Sequence, residues 1–308
     1  MKQINGYIDV NEMLREIGVT DTSLDKLKNT DKINLIFQSS TGITFSFKYD
    51  GKEYFYKYNE TAALYSELVA EELAQDFGID HVNYYLALFD NHRGCISESY
   101  KKANVDYTLG SELLSECYHY MTENRNIEEF NNLESIWDAL EYRYANNPNK
   151  DQIISDLMNQ IVNMFIFDII ICNYDRHSDN WEIMESSDEI KLSPIYDNEG
   201  ILTTSGKNAF VSMGLEEKTY SMIWKTIADF QKVSSSEFSD IIKEKLWIIS
   251  EENLINIFTR IENKTGIPMS DIYKKYYLQE YKSHKNRIEK ALTDNKDIRK
   301  RWTIWKIE

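Results

Sequence analysis

Proline is nearly missing from this chain, with 3 residues in 308, and glycine numbers only 11. So little of either excludes a collagen-like or Gly/Pro-rich disordered composition and leaves no stretch that reads as a long linker. Cysteine is equally scarce: Cys95, Cys117 and Cys172 are odd in number, widely spaced, and never form a CxxC pair. That pattern supports neither a disulfide framework nor a zinc site. Long apolar runs are also lacking. The most apolar window, residues 161–172, is far shorter than the roughly 20 residues a membrane-spanning helix needs. The opening segment MKQINGYIDVNEMLREIG has no continuous apolar core of the secretory kind. Positive charge is the last deficit, with 35 Lys and Arg against 51 Asp and Glu, a net charge of −16. Such a surface repels phosphate backbones and anionic lipid, so direct nucleic-acid or membrane binding is not expected. The basic tail KDIRKRWTIWKIE reads as a solvated face or a dock for an acidic partner. These absences together predict a soluble, cytoplasmic protein.

What is present points to a folded globule: 42% hydrophobic and 13% aromatic residues, in a chain long enough for one large domain or two lobes. Up to about residue 100, short alternating stretches dominate. Residues 32–38, 43–49 and 52–58 read as strands, with Asp50-Gly51 as a tight hairpin turn. Asn59 is positioned to cap a following helix that Gly78 stops. Two further strands are expected at 82–89 and 95–99, joined by the turn DNHRG. Beyond residue 105, helical periodicity takes over at 109–121, 127–146, 151–172, 219–231, 236–249, 251–265 and 269–293. The stretch 173–214 interrupts it with a polar loop and a predicted hairpin. The fold class expected is α+β with two lobes: a small, β-rich lobe with one helix over 1–101, and a larger helical lobe over 102–308.

The polar loop carries the chemistry. ICNYDRHSDNWEI follows the apolar run IVNMFIFDII and crowds two Asp, a His, an Arg and two Asn into residues 173–180. Buried polar groups at that density are costly unless something binds to them. Asp175 and Asn180 stand five residues apart, and Asp197 follows 22 residues after Asp175. Phosphoryl transfer from a nucleotide needs such a set. One carboxylate orients the attacking hydroxyl and accepts its proton, while an amide oxygen and a second carboxylate hold magnesium. The kinase catalytic loop has the same five-residue step from Asp to Asn. Lys57, on the third strand, is placed to grip the inner phosphates. Glu67 in the next helix is its candidate partner, with Glu71 and Glu72 as competitors.

NYDRHSDNW followed by LSPIYDNEG resembles the signatures of the HipA-like bacterial Ser/Thr kinase family, over residue 33 to the end of the chain. With residues 1–31 preceding the first predicted strand, the chain is most similar to the compact members, the HipT toxins and CtkA-like kinases. The resemblance implies a kinase-like fold and an ATP- and Mg-dependent Ser/Thr protein kinase. Asp175 is then the catalytic base, and Asn180 and Asp197 the magnesium ligands. ATP would be held by Thr41, Gly42, Ile43 and Thr44 of the phosphate-covering loop, by Lys57 with Glu67, by the hinge residues Glu98, Ser99 and Tyr100, and by His177 and Tyr196. Further implications are autophosphorylation at Ser39 or Thr41, a protein substrate with a Ser or Thr acceptor, and an antitoxin partner in a toxin–antitoxin system. Two other readings compete: a small-molecule phosphotransferase of the aminoglycoside-kinase kind, and a pseudokinase that keeps the fold without turnover. The former group usually carries a His two residues before the Asp, where this chain has Asn173.

Overall fold

The computed structural model describes residues 2–23, 30–38, 42–59, 64–122, 127–173, 175–198, 201 and 235–298. Ten strands fall into two sheets. The larger has seven strands in the order β1-β2-β6-β7-β5-β4-β3, where β1 is Gln3–Ile4, β2 Tyr7–Asp9, β3 Ile33–Gln38, β4 Gly42–Tyr49, β5 Lys52–Asn59, β6 Tyr84–Phe89 and β7 His92–Glu98. Its three tight turns among the described residues share a visible cause: Asn5 and Gly6, between β1 and β2, have φ of 51° and 85°. Asp50 and Gly51 have φ of 50° and 75°, and Asp90 and Asn91 have φ of 45° and 63°. Two consecutive residues with positive φ make the turn whose twist matches a right-twisted hairpin. The expected turn at DNHRG is thus present but confined to Asp90-Asn91, and β7 starts at His92 rather than 95.

Period-2 alternation divides this sheet into two faces. Ile43, Phe45, Phe47, Tyr54 and Tyr56 pack outward with Val10, Met13 and Leu14 of helix α1 (Val10–Glu16) in one apolar cluster. Strands and a helix thus occupy the amino-terminal stretch that the sequence reading left blank. Thr44, Phe55, Lys57 and Ser97 line a cleft on the other face. β7 and β5 approach closely at Gly94, where an added Cβ would fall 2.2 Å from the carbonyl oxygen of Lys57. Gly94→Ala is therefore expected to lower stability by about 1–3 kcal/mol, read as an earlier urea midpoint. Because the backbone that must yield carries Lys57, nucleotide binding should weaken too.

Helix α2 (Ser66–Phe77) ends in Gly78, at φ 85°, as the sequence suggested. Its start is a correction. Asn59 is the last residue of β5, paired with Gly42, and the position before the helix is Tyr65, which offers no side-chain cap. The ladder with β4 has won over the capping propensity of Asn59.

After β7 the chain crosses to a three-stranded sheet, β10-β9-β8, made of β8 (Asp106–Leu109), β9 (Glu182–Glu185) and β10 (Ile190–Leu192). The helices are α3 (Gly110–Thr122), α4 (Leu133–Arg143), α5 (Lys150–Ile171), α6 (Ser235–Lys245), α7 (Glu251–Thr265) and α8 (Asp271–Ile298). The expected helix 127–146 is split into a 3-10 turn, Ile127–Phe130, and α4. Asn132 restarts it by accepting the amide of Ser135 at 3.0 Å. The expected helix 219–231 lies outside the described residues. α5 is long and apolar enough to cross a membrane by length and composition, although the run within it looked too short; most of it is buried in the protein interior. A second apolar cluster extends from α2 and β6 through α5 to α7 and α8. α2 thus shares a core with the large lobe although it precedes residue 101 in the chain.

α2 is also tied to α7 by charge. Glu71 pairs with Lys264, and Arg260 pairs with both Glu72 and Asp76. Asn253 Nδ2 donates to Asp76 at 2.8 Å, and Glu71 accepts the amide of Tyr84 in β6 at 2.9 Å.

Candidate active site

α5 delivers the chain to the polar loop through Cys172, a left-handed residue at φ 59° that ends the helix and turns the backbone. Asn173 closes the turn, its Nδ2 donating to Asp168 at 2.9 Å and its Oδ1 accepting the amide of Asp175 at 3.3 Å. Arg176 then fixes the whole loop. It is buried, pairs with Asp168 at 3.0 Å, and donates to the carbonyls of Asn180 at 2.7 Å and Tyr196 at 2.8 Å and to Asn198 Oδ1 at 2.6 Å. One guanidinium thereby joins the Asp175 loop to the Asp197 segment. A second brace comes from Glu128, whose carboxylate accepts the amide and hydroxyl of Ser178, and from Asn131, which donates to the carbonyl of Arg176 at 3.0 Å.

The residues expected to act together converge. Lys57 Nζ lies 3.4 Å from Glu67 and in contact with the carboxylate of Asp197. Glu67, not Glu71 or Glu72, is the partner; its other oxygen accepts the amide of Asn198 at 3.0 Å, while Glu71 and Glu72 face α7. Asp197 itself sits at φ 54°, a conformation that a short polar side chain tolerates and that concentrates at functional sites. Its amide donates to the hydroxyl of Tyr84 at 3.3 Å. Asn180 donates through Nδ2 to the carbonyl of Asp175 at 2.7 Å, which turns its amide oxygen away as an acceptor.

The two carboxylates are pushed in opposite directions. Burial raises the Asp175 carboxyl above its ordinary value; His177 and then Lys57 oppose that shift and the charge of Asp197 adds to it. Burial also resists ionisation of Asp197, but the Lys57 ammonium outweighs it and holds that carboxyl below the usual range. Two acids with separated affinities for protons are what a base and a metal ligand need.

A cleft of about 530 Å3, within the roughly 300–1,000 Å3 of small-molecule sites, is lined by Asp197 and Lys57 but not by Asp175. Thr44, Lys57, Glu98, Ser99, Tyr100, Asn180, Tyr196 and Asp197 of the expected set line it. The rings of Tyr100 and Tyr196 stack at 5.8 Å, pinned by bonds from Tyr100 to Glu182 (3.0 Å) and from Tyr196 to the carbonyl of Asp179 (3.0 Å). Glu98 stands at the cleft with its carboxylate paired to Lys52 at 2.8 Å. Gly42 opens β4 opposite Asn59.

Gly42, Ile43, Glu67, Asp175 and His177 of the expected set are not in the cleft lining, although Glu67 reaches it through Lys57. The side chain of Ile43 is buried in the outer-face core, because strand alternation that sends Thr44 to the cleft sends Ile43 away. His177 is half-buried and accepts the amide of Asp179 at 3.3 Å, outside the cleft lining. Ser39, Ser40 and Thr41 lie outside the described residues.

Arg176, Asp168, Glu128 and Glu182 escaped the sequence reading. One signal was available for Asp168: a single acid inside an apolar helix must be paired. No cluster of three or more His, Cys, Asp or Glu suited to a metal occurs among the described residues. Magnesium does not call for one, since one or two carboxylates plus nucleotide phosphates suffice. The carboxylate of Asp197, the free amide oxygen of Asn180 and the ammonium of Lys57 fit ATP with magnesium.

None of the curated proteins matches this sequence. The HipA-like C-terminal domain family matches residues 28–261. Among solved structures, the proinflammatory kinase CtkA of Helicobacter pylori is similar over 83% of this chain and 94% of its own, at 17% identity and a TM-score of 0.54. HipA of Shewanella oneidensis MR-1, from a toxin–antitoxin complex with HipB and operator DNA, is similar over 91% of this chain and 70% of its own, at 13% identity and a TM-score of 0.50. At these identities the two structures speak for the fold alone. With the family matching most of the sequence and the kinase-like fold repeated in both structures, the chain belongs to the HipA-like C-terminal domain family and has the two-lobed fold of a kinase-like phosphotransferase.

Proposed function

We propose that this chain transfers the terminal phosphoryl group of ATP, with magnesium, to a Ser or Thr hydroxyl of a protein. The observation that carries the reading is the single ammonium of Lys57 set between Glu67 and Asp197, in one cleft with Asn180. Lys57 would hold the inner phosphates, oriented by Glu67. Asn180 and Asp197 would hold magnesium, and Asp175 would take the proton of the attacking hydroxyl. When bound, ATP supplies the phosphoryl group and magnesium neutralises its growing negative charge. The relatives named above motivate the finer parts of the reading. CtkA is described as a kinase, and HipA as part of a toxin–antitoxin system with HipB. A small antitoxin protein is the partner expected here, and autophosphorylation at Ser39 or Thr41 the expected modification.

Labelled ATP and magnesium, given to the purified protein alone, with a cell lysate, or with small-molecule acceptors, test the reaction class. Label on this protein or on a lysate protein supports the proposal. Label confined to small molecules favours an aminoglycoside-kinase-like activity, and nucleotide binding without transfer a pseudokinase. The pH profile adds a sharper check. A base must be ionised, and the carboxyl of Asp175 in the free protein is raised above 3.8, so kcat/KM, which reports the free enzyme, should begin to fall on acidification above that ordinary value. An acidic limb at or below 3.8 would count against Asp175 as the base.

A further inference from the structure

A second cavity, of about 680 Å3, shares no lining residue with the nucleotide cleft. It opens where β2, the β6–β7 turn and the N-terminal end of α2 meet the connection from α7 to α8. Tyr7, Tyr58, Tyr65 and Tyr273 supply its aromatic walls, and Arg93 its cation. The guanidinium of Arg93 stands 5.7 Å from the centre of the Tyr7 ring. Whereas Arg143, Arg176 and Arg260 each pair with carboxylates, Arg93 has neither a carboxylate nor a hydrogen-bond partner among the described residues.

A further donor lies in the lining, on Ser270. Ser270 accepts the amide of Ile272 at 3.3 Å, which leaves its hydroxyl proton to donate. The imidazole of His92, also in the lining, lies 4.7 Å from the Tyr58 ring and adds a flat surface to the wall. The carboxylate that bears on Tyr65 is Glu262, and it is already engaged by Lys274 at 2.7 Å and by the amide of Met269 at 2.8 Å.

From this arrangement we propose that the cavity binds a phosphomonoester carried on a planar ring. The guanidinium offers paired donors to a phosphate, and the Ser270 hydroxyl adds another. Tyrosine rings stack on a flat carrier and present hydroxyls at its rim. At about 680 Å3 the space exceeds what a bare phosphate fills and suits a ring as well. The ring could belong to a free small molecule or to the phosphotyrosine side chain of a peptide, which share this chemistry.

Calorimetric titration of the full chain tests the proposal, with the nucleotide cleft first saturated by a non-hydrolysable ATP analogue and magnesium. Phenyl phosphate should bind saturably, more tightly than inorganic phosphate or phenol. Arg93→Gln should weaken it about tenfold or more, the scale of a lost charge-assisted hydrogen bond. Arg93 is exposed, so circular dichroism and the melting temperature should be unchanged in that variant. Tyr273→Leu provides a second reading: it should erase the preference for phenyl phosphate over inorganic phosphate. A phosphotyrosine peptide and adenosine monophosphate, titrated in the same way, identify the source by which binds more tightly. Absent saturable binding of phenyl phosphate, equal binding by Arg93→Gln, or inorganic phosphate binding as tightly as phenyl phosphate would each overturn it.

Discussion

Replacing Asp175 with Asn is expected to lower phosphoryl transfer by about a hundred- to ten-thousand-fold, the range of a lost general base. Nucleotide binding should persist, because the cleft is lined by Lys57, Asn180 and Asp197 and not by Asp175. Stability should hold or rise. A carboxyl raised in the folded state binds its proton more readily than in the unfolded chain. Its contribution to stability is therefore favourable at acidic pH and is lost as pH climbs through the raised value. At neutral pH the ionised group opposes folding, and the neutral amide removes that opposition. Steady-state kinetics, nucleotide titration and a melting curve on the same preparation give the three readings. Turnover near wild type would remove Asp175 from the mechanism.

Asp168→Ala should do the reverse and cost about 3–5 kcal/mol of stability, as expected when one partner of a buried ion pair is deleted. Arg176 would keep its charge in the protein interior, where burial already works against it and the Asp168 carboxylate is the chief group that holds it ionised. Asn173 would also lose its acceptor, and the turn that starts the loop would slacken. Urea denaturation reads the loss, and transfer should fall along with it because Arg176 joins the Asp175 and Asp197 segments. A loss below about 1 kcal/mol, the scale of an exposed pair, would show that the guanidinium is not held as described.

Legibility in the sequence tracked how local each determinant is. The Asp50-Gly51 turn and the stop at Gly78 are local and could be read directly. Asn59 was misread because a cap and a strand end look alike until the partner strand is known. The turn at DNHRG is legible, but not its confinement to Asp90-Asn91, because positive φ at Asp and Asn leaves a weaker trace than at Gly. At the site, Lys57, Asn180 and Asp197 were legible from type and spacing, and Glu67 only as one of three. Strand parity, which cannot be read at a loop mouth, decided that Thr44 rather than Ile43 faces the cleft. Arg176 stayed hidden because its partners are scattered over Asp168, Tyr196 and Asn198.

The ion pairs between α2 and α7 carry a thermodynamic consequence. Glu67 rides on a helix whose other acids, Glu71, Glu72 and Asp76, are held by Lys264 and Arg260 of the large lobe. Lys57 and a remote helical surface therefore share one mechanical body, and free-energy coupling between two such places is reciprocal. If the grip of α7 favours a ligand at Lys57, that ligand tightens α7 by the same factor. Nucleotide occupancy then becomes legible on the back of the large lobe, as slower amide exchange along α7, with no helix needing to swing.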